Sequence, residues 1–506
     1  MLKSFLQSRI KNKLHGYKVM LNEVDPGKPK SLSSSRKVAV VGAGLAGLAA
    51  ASLLAERRFS VTLFDKNSYL GGKAGSWDVS FQDGYTTKID HGFHAFFRHY
   101  YNLRAFMAKI GATERFKAID DYLVVAGDGK RYSFKNVETT PVLNIVSLGK
   151  NKFFRFPDVL FNRPSWRMGE FLDYDEVNTF AKYDGMSFDE FASKAKLPSP
   201  LKLTFNTFAR AFFAPAEKLS TAELMKSFHF FYLSHDHGLL YDYFDTDYDE
   251  ALLQPISRYL AKHNVSIRLN HPVEGTRREN EKFIVEGESF DYLILASDAV
   301  GTRNICKNSP WIAAASQKTC SQLTSLKASS GYAVYRIWLD KRTGDNFPVF
   351  IITQKRDVLD SITFYHHFDK NAAAWARRAG GGVYELHCYA LPDGMTKPDI
   401  QAGFLTELHS YFPELREARL IHDHLQVKHD FTAFYTNLNH RRPEYRTAIA
   451  NLYLAGDWVK TGMPAMLMEA AYTSGILCAN GIMTDNGLQE EPVFSVPIRG
   501  VFANLK

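Results

Sequence analysis

The chain has 506 residues, of which 45% are hydrophobic and 23% charged, ordinary globular material. The net charge of +8 is local: residues 1–36 hold eight Lys/Arg against two Asp/Glu, leaving 54 of the 62 basic and 52 of the 54 acidic side chains to a nearly neutral body. A basic tail alone gives no reason to expect a nucleic-acid partner, and four widely separated cysteines without a C-x-x-C pair suggest neither a disulfide framework nor a zinc site and fit a reducing compartment.

At the N-terminus Leu2, Phe5, Leu6, Ile10 and Leu14 fall on one helical face beside Lys3, Arg9, Lys11 and Lys13, with no acid before Glu23. This predicts a short helix lying on an anionic membrane surface, with an organelle transit peptide or a disordered basic tail as open alternatives; a secretory signal is not expected, because no continuous apolar run is present. Pro26, Pro29 and the serines between Ser31 and Ser35 predict a flexible linker.

The stretch from Lys37 to Asp65 reads as strand, glycine turn, helix and second strand ending in a carboxylate. In Gly42-Ala43-Gly44-Leu45-Ala46-Gly47, Gly42 permits the tight turn, Gly44 lets backbone approach a pyrophosphate, and Gly47 allows close helix-strand packing, while the helix N-terminus offers unpaired N–H groups to an anion. Asp65, eighteen residues after Gly47, is placed for the adenosine ribose hydroxyls. Val38 to Ala55 is uncharged over eighteen residues, the length of a membrane span, but glycines at turn spacing and the immediate second strand describe a buried βαβ unit instead. Lys66 and the second glycine pair, Gly71-Gly72-Lys73-Ala74, add donors and charge along an extended FAD, and the acid at 65 argues against a 2′-phosphate and hence against NADP.

Further along, Asp121 to Phe134 predicts a hairpin around Gly127-Asp128-Gly129, 140–235 a largely helical region with Pro breaks, and Glu250–Lys262 a helix. Val265–Leu269 and the run from Phe290 read as strands, as do Tyr332–Leu339, Val349–Thr353, Ser361–His366 and Val383–Ala390; a helix over Asp399–Tyr411 and a strand region near Ile421–Phe434 follow. Asn451 to Gly475 reads as strand, turn and helix: Gly456 for close backbone approach, Asp457 to accept hydrogen bonds from the ribityl or pyrophosphate region, and a helix start near Met468 and Glu469 to stabilise charge on a reduced flavin.

From Lys37 to Met483 the chain resembles the FAD-dependent carotenoid desaturases of the phytoene and ζ-carotene desaturase group. The resemblance is carried by the two glycine motifs, Asp90-His-Gly-Phe-His94-Ala-Phe-Phe, and Leu-Ala-Gly-Asp457 with Met468-Glu469. Phe228-His-Phe-Phe-Tyr-Leu, Ala251-Leu-Leu-Gln-Pro-Ile and Pro464-Ala-Met-Leu-Met-Glu look most like isorenieratene synthases, which desaturate a cyclised carotene ring and move a ring methyl. The chain departs from the wider group at Ala470, where Gly is usual, and at Asp65, where Glu is usual.

The resemblance implies an α/β fold: a Rossmann-type FAD-binding domain interleaved with an α+β substrate domain, as in amine oxidases and phytoene desaturases. We expect residues 1–36 to be a basic flexible segment, 37–97, 240–300 and 445–486 to build the FAD-binding domain, 98–239 and 301–444 the substrate domain, and 487–506 a C-terminal tail. By the same resemblance His91 and His94 lie near the flavin, as candidates to position substrate or accept a proton, with packed structural histidines as the alternative. No H-E-x-x-H or spaced Cys/His set occurs, so no metal is expected.

The implied substrate is a long apolar polyene, held by burial at roughly 25 cal/mol per Å² and oriented by tunnel shape. By the same resemblance, flavin N5 would take a hydride from an allylic carbon, and loss of a neighbouring proton would complete a double bond, with or without migration of a ring methyl. Phe93, Phe96, Phe97, Phe212, Phe213, Phe228, Phe230, Phe231 and Tyr232 are candidate wall residues able to steady a cation. A membrane quinone or dioxygen would reoxidise the flavin, at the cytoplasmic side of a membrane or in an organelle. An amine oxidase-type enzyme on a small soluble substrate and a non-redox FAD-dependent carotenoid isomerase stay as alternatives.

Overall fold

A computed structural model of the chain describes residues 2–198, 202, 205, 212–344, 346–354 and 357–503. Five parallel strands form one sheet in the order Ser266–Arg268, Ser60–Phe64, Lys37–Val41, Tyr292–Leu295 and Leu452–Leu454. Apart from the first, these strands are short runs of mostly aliphatic and aromatic residues which, beyond the opening one of two strands, are all buried, as a sheet covered on both faces requires. The chain leaves this sheet after Phe64, returns for Ser266 and Tyr292, leaves again, and returns for Leu452.

The uncharged run from Val38 to Ala55 is divided between the strand Lys37–Val41 and the helix Leu45–Glu56, and no described helix is long and apolar enough to cross a membrane. Leu45–Glu56 packs tightly against Leu467–Asp485: a Cβ added at Gly475 would collide with the Ala46 carbonyl oxygen and lie 2.8 Å from Ala49 Cβ. This contact brings the early and late segments of the sequence together.

A second, seven-stranded sheet runs Leu420–Lys428, Tyr332–Leu339, Gly382–Cys388, Ser361–Phe364, Phe350–Thr353, Leu123–Val125 and Arg131–Ser133. It is antiparallel except between Phe350–Thr353 and Leu123–Val125, and the last two strands are the hairpin around Gly127-Asp128-Gly129. The two sheets, with helices on each, form the α/β architecture expected.

Between 140 and 235 the described residues form short helices, from Leu143–Lys150 to Thr221–Phe228; residues 199–201, 203–204 and 206–211 lie outside the described set. The segment 250–262 is not one uniform helix. It opens with a wide π turn at Asp249–Leu253 and becomes α-helical at Gln254–Lys262, because Pro255 has no N–H to continue an i→i−4 ladder through that point. The N-terminal helix Leu2–Lys13 leans on residues 138–140, where Lys3 pairs with Glu138 and Gln7 donates to Thr140. Within residues 1–36, Leu21 N–H donates to Val493 O and Leu32 N–H to Arg57 O, while Pro29 O accepts Gln489 N–H.

Candidate active site

A cavity of about 970 Å³ opens at the carboxyl ends of the parallel strands, where Val41, Phe64, Ala296 and Gly456 reach its wall, and extends to the face of the seven-stranded sheet at Val334, Ile352 and His387. Ligands of open α/β sheets bind at strand carboxyl ends, and this volume lies at the upper end of ordinary ligand sites.

The polar end is built from two glycine turns laid against each other. Gly42 has φ +114°, and a Cβ there would lie 2.6 Å from the Ala296 carbonyl group. Gly71 and Gly72 are also left-handed, Gly71 N–H donates to Ala43 O, and a Cβ on Gly72 would sit 3.1 Å from Gly44 Cα. At Gly44 a Cβ would meet no atom within 4 Å, since that side of the backbone faces the cavity. Asp65 is buried at the rim, one oxygen accepting Ala43 N–H at 2.7 Å and the other Asn67 N–H at 2.8 Å. Its carboxylate therefore holds the first turn closed while retaining lone pairs for a ligand.

Gly42, Gly44, Leu45, Ala46, Asp65, Lys66, Gly71, Gly72, Lys73, Ala74, Gly456, Asp457 and Met468 all line this one cavity, as do His91 and His94. Lys66 Nζ stands 3.7 Å from Asp298, and Lys73 Nζ lies over the Phe431 ring at 5.3 Å. Asp457 accepts Thr432 Oγ1–H at 2.7 Å, and Gly456 N–H donates to Ser474 at 2.8 Å.

Three expected contacts fall outside the wall. Ala43 works through its backbone, in the two hydrogen bonds already given, and Gly47 packs so closely that a Cβ would collide with Gly42 O. Glu469 requires a correction, because its carboxylate turns away and accepts Asn102 N–H, Asn102 Nδ2–H and Leu103 N–H at 2.8–3.1 Å. It caps the helix Tyr101–Lys109, and burial pushes its carboxyl up to about 7 against those hydrogen bonds.

The far end is aromatic. Of the nine candidate wall residues, Phe93, Phe97, Phe212, Phe213 and Phe231 line the cavity. Phe96, Phe228, Phe230 and Tyr232 do not. Phe96 and Phe97 share a two-residue strand, so they point to opposite sides, and Phe96 packs instead on Phe116 and Phe244 with ring centroids 5.4 and 4.8 Å away. Tyr100, Tyr122, Leu239, Tyr241 and Phe350 also line the wall; none stood out in the sequence, because their place depends on packing between segments far apart in the chain.

His91 and His94 sit between the two ends. Burial pushes both imidazoles down, His91 well below its usual value, so both are neutral near pH 7. His94 Nδ1–H donates to Gly92 O at 2.7 Å, its backbone N–H to Tyr248 Oη at 2.7 Å, and Phe93 N–H to Glu385 at 2.8 Å. Glu385 in turn receives Arg336 Nε and Nη2 at 2.9 and 2.6 Å, and Arg336 lies 3.9 Å from Asp90. A buried charge cluster thus supports the loop that carries both histidines.

Residues 45–483 match the flavin containing amine oxidoreductase family. A carotenoid phi-ring synthase of Streptomyces griseus is 33% identical, over 95% of this chain and 94% of its own, and a 15-cis-phytoene desaturase of Arabidopsis thaliana is 24% identical over 89% and 80%. Among solved structures, putrescine oxidase bound to putrescine superposes with a TM-score of 0.65 at 14% identity, covering 89% of this chain and 99% of that one.

Proposed function

The chain belongs to the flavin containing amine oxidoreductase family and takes FAD as its cofactor, and from this premise we propose that it desaturates a carotenoid-like polyene, with migration of a ring methyl when the end group is cyclic. The observation that carries the reading is a cavity polar and glycine-walled at one end and aromatic at the other. The carotenoid ring named in the Streptomyces griseus relative supports the cyclic substrate.

The residues present fit FAD. The turns at Gly42–Gly44 and Gly71–Gly72 would hold the pyrophosphate, Asp65 the adenosine ribose, and Gly456, Asp457 and Met468 the ribityl and ring end. When bound, FAD supplies the two-electron oxidation. The chain's own work is to bury a hydrocarbon that offers no hydrogen-bonding handle, to exclude water, and to face the electron deficiency that develops on the polyene with the rings of Phe93, Phe97, Phe213 and Phe231.

Such a substrate resides in a bilayer, and we place the protein at a membrane surface. Phe5 in the N-terminal helix is 53% exposed, Phe161 89% and Trp166 58%, with Ile145, Val146 and Leu160 also in solvent. Exposed Lys150, Lys152, Arg155 and Arg163 accompany them. Each basic side chain near an anionic surface contributes about 1 kcal/mol. The purified protein should float with anionic vesicles, and Phe161→Ser with Trp166→Ser should reduce the floating fraction severalfold; equal flotation would remove this face from the contact. A membrane quinone or dioxygen is the proposed final acceptor.

The function is tested by expressing the chain in cells that accumulate lycopene or β-carotene and separating the pigments by chromatography. A product with a shifted visible spectrum is expected from the β-carotene strain. No new pigment from either strain would exclude the polyene reading while leaving the flavin chemistry in place.

A further inference from the structure

The oxidation proposed above removes a hydride equivalent and a proton, and the residue that takes the proton has to sit on the wall of a cavity otherwise rich in rings. Tyr332, on the strand Tyr332–Leu339, reaches that wall, is buried, and stands between two other lining residues. Its Oη lies 2.9 Å from His91 Nε2 and 2.7 Å from Asp430 Oδ1. A phenol has one proton, and the carboxylate can only accept, so Tyr332 donates to Asp430 and its oxygen accepts His91 Nε2–H. That assigns the Nε2–H tautomer and leaves Nδ1, with its lone pair, as the nitrogen available to the cavity that His91 lines.

We propose that His91, Tyr332 and Asp430 form a proton relay that receives the substrate proton. The inference rests on the polyene-oxidation reading. The pair of the breaking C–H bond becomes the new C=C bond as the proton passes to His91 Nδ1. Nε2–H passes its proton to the Tyr332 oxygen, and the Tyr332 proton passes to Asp430, which changes from carboxylate to carboxylic acid. The imidazole ends neutral in its other tautomer. When product has left and water enters, Nδ1 gives its proton to water and the Asp430 proton returns through Tyr332 to Nε2.

The relay answers a specific difficulty of this site. An isolated imidazole taking the proton would become a buried cation, which burial and the nearby Lys428 and Lys73 both disfavour. Handing a proton on to Asp430 lets the ring accept one without gaining charge. Tyr332 and Asp430 are far apart in sequence, on a strand and just beyond the end of the strand paired with it, Leu420–Lys428, so the fold itself assembles the chain of donors.

The test uses the flavin-loaded full chain with β-carotene in phosphatidylcholine vesicles. Tyr332→Phe and Asp430→Asn should each lower single-turnover product formation on the order of 10²-fold, the usual worth of general acid–base assistance, while the visible flavin band stays at wild-type intensity. In mixtures of light and heavy water the wild-type rate should bend with deuterium fraction, as several protons move together, and Tyr332→Phe should make the plot straight. A Tyr332→Phe enzyme with the wild-type rate and the same bent plot overturns the relay. If either variant loses flavin, the ¹⁵N shifts of His91 in the wild-type protein decide: protonated Nε2 with bare Nδ1 is expected, and the reverse tautomer overturns the proposal. Failure of the wild type to convert β-carotene is a different result, which overturns the polyene reading and the relay together.

Discussion

Gly44→Val should yield a folded protein that purifies without yellow colour. Gly44 has φ −72° and ψ 176°, extended backbone that valine adopts without strain, and its Cβ direction is open to the cavity, so the added Cβ meets no protein atom within 4 Å. The new side chain instead occupies space beside the helix start Leu45–Glu56, where the pyrophosphate of FAD is proposed to lie against backbone N–H groups. Binding should weaken by at least about tenfold, or about 1.4 kcal/mol, read as the ratio of visible flavin absorbance to protein absorbance and as the Kd for added FAD. Gly42→Ala is the contrasting substitution. At φ +114°, with Ala296 carbonyl atoms 2.6 Å from the added carbon, it should damage the fold itself and lower the yield of soluble protein. A fully yellow Gly44→Val protein would exclude a cofactor running past this turn.

The parts of the site that could be read in advance are those whose geometry is set by neighbours in the chain. Gly42, Gly44, Gly71, Gly72 and Gly456 announce backbone positions, and each of them reaches the cavity because a glycine turn after a parallel strand has few ways to fold. Glu469 shows where local reading ends. Its place in the first helical turn suggested a role at the flavin, but direction around a helix is decided by what packs alongside, and the unpaired N–H groups of Asn102 and Leu103 lie on that side. The aromatic segments fail for the same reason at period two: Phe96 and Phe97 are chemically equal in the sequence, and pairing with Tyr241–Phe244 selects which one meets the cavity. Tyr332 and Asp430 carried no local signal at all, since the contact of His91 with Tyr332 spans 241 residues of sequence and that of Tyr332 with Asp430 spans 98.

Glu385→Gln should be among the most destabilising single changes in the protein, by about 3–5 kcal/mol at neutral pH, because it leaves a buried guanidinium without its principal counter-charge. Glu385 is fully buried, and one of its oxygens receives both Arg336 hydrogen bonds while the other receives Phe93 N–H and stands 3.1 Å from His387 Nε2. Burial pushes its carboxyl up, but Arg336 and His387 outweigh burial, and it sits at about 2. Since that is below the value of an unfolded glutamate, about 4.3, the stabilisation is present above that pH and drains away as pH falls toward 2. The wild-type advantage over Glu385→Gln in thermal melting of the holoprotein should therefore be full at pH 7 and shrink below about pH 4. Asp90, pushed up to about 7 by burial against the pull of Arg336, is the carboxylate left to the cation, at 3.9 Å and without a direct hydrogen bond. Loss of the Phe93 N–H acceptor also loosens the loop that holds His91 and His94, so turnover should fall further than flavin content. Equal melting temperatures at pH 7 would mean that Asp90 alone neutralises Arg336, and the charge cluster would then lose its place as the support of the histidine loop.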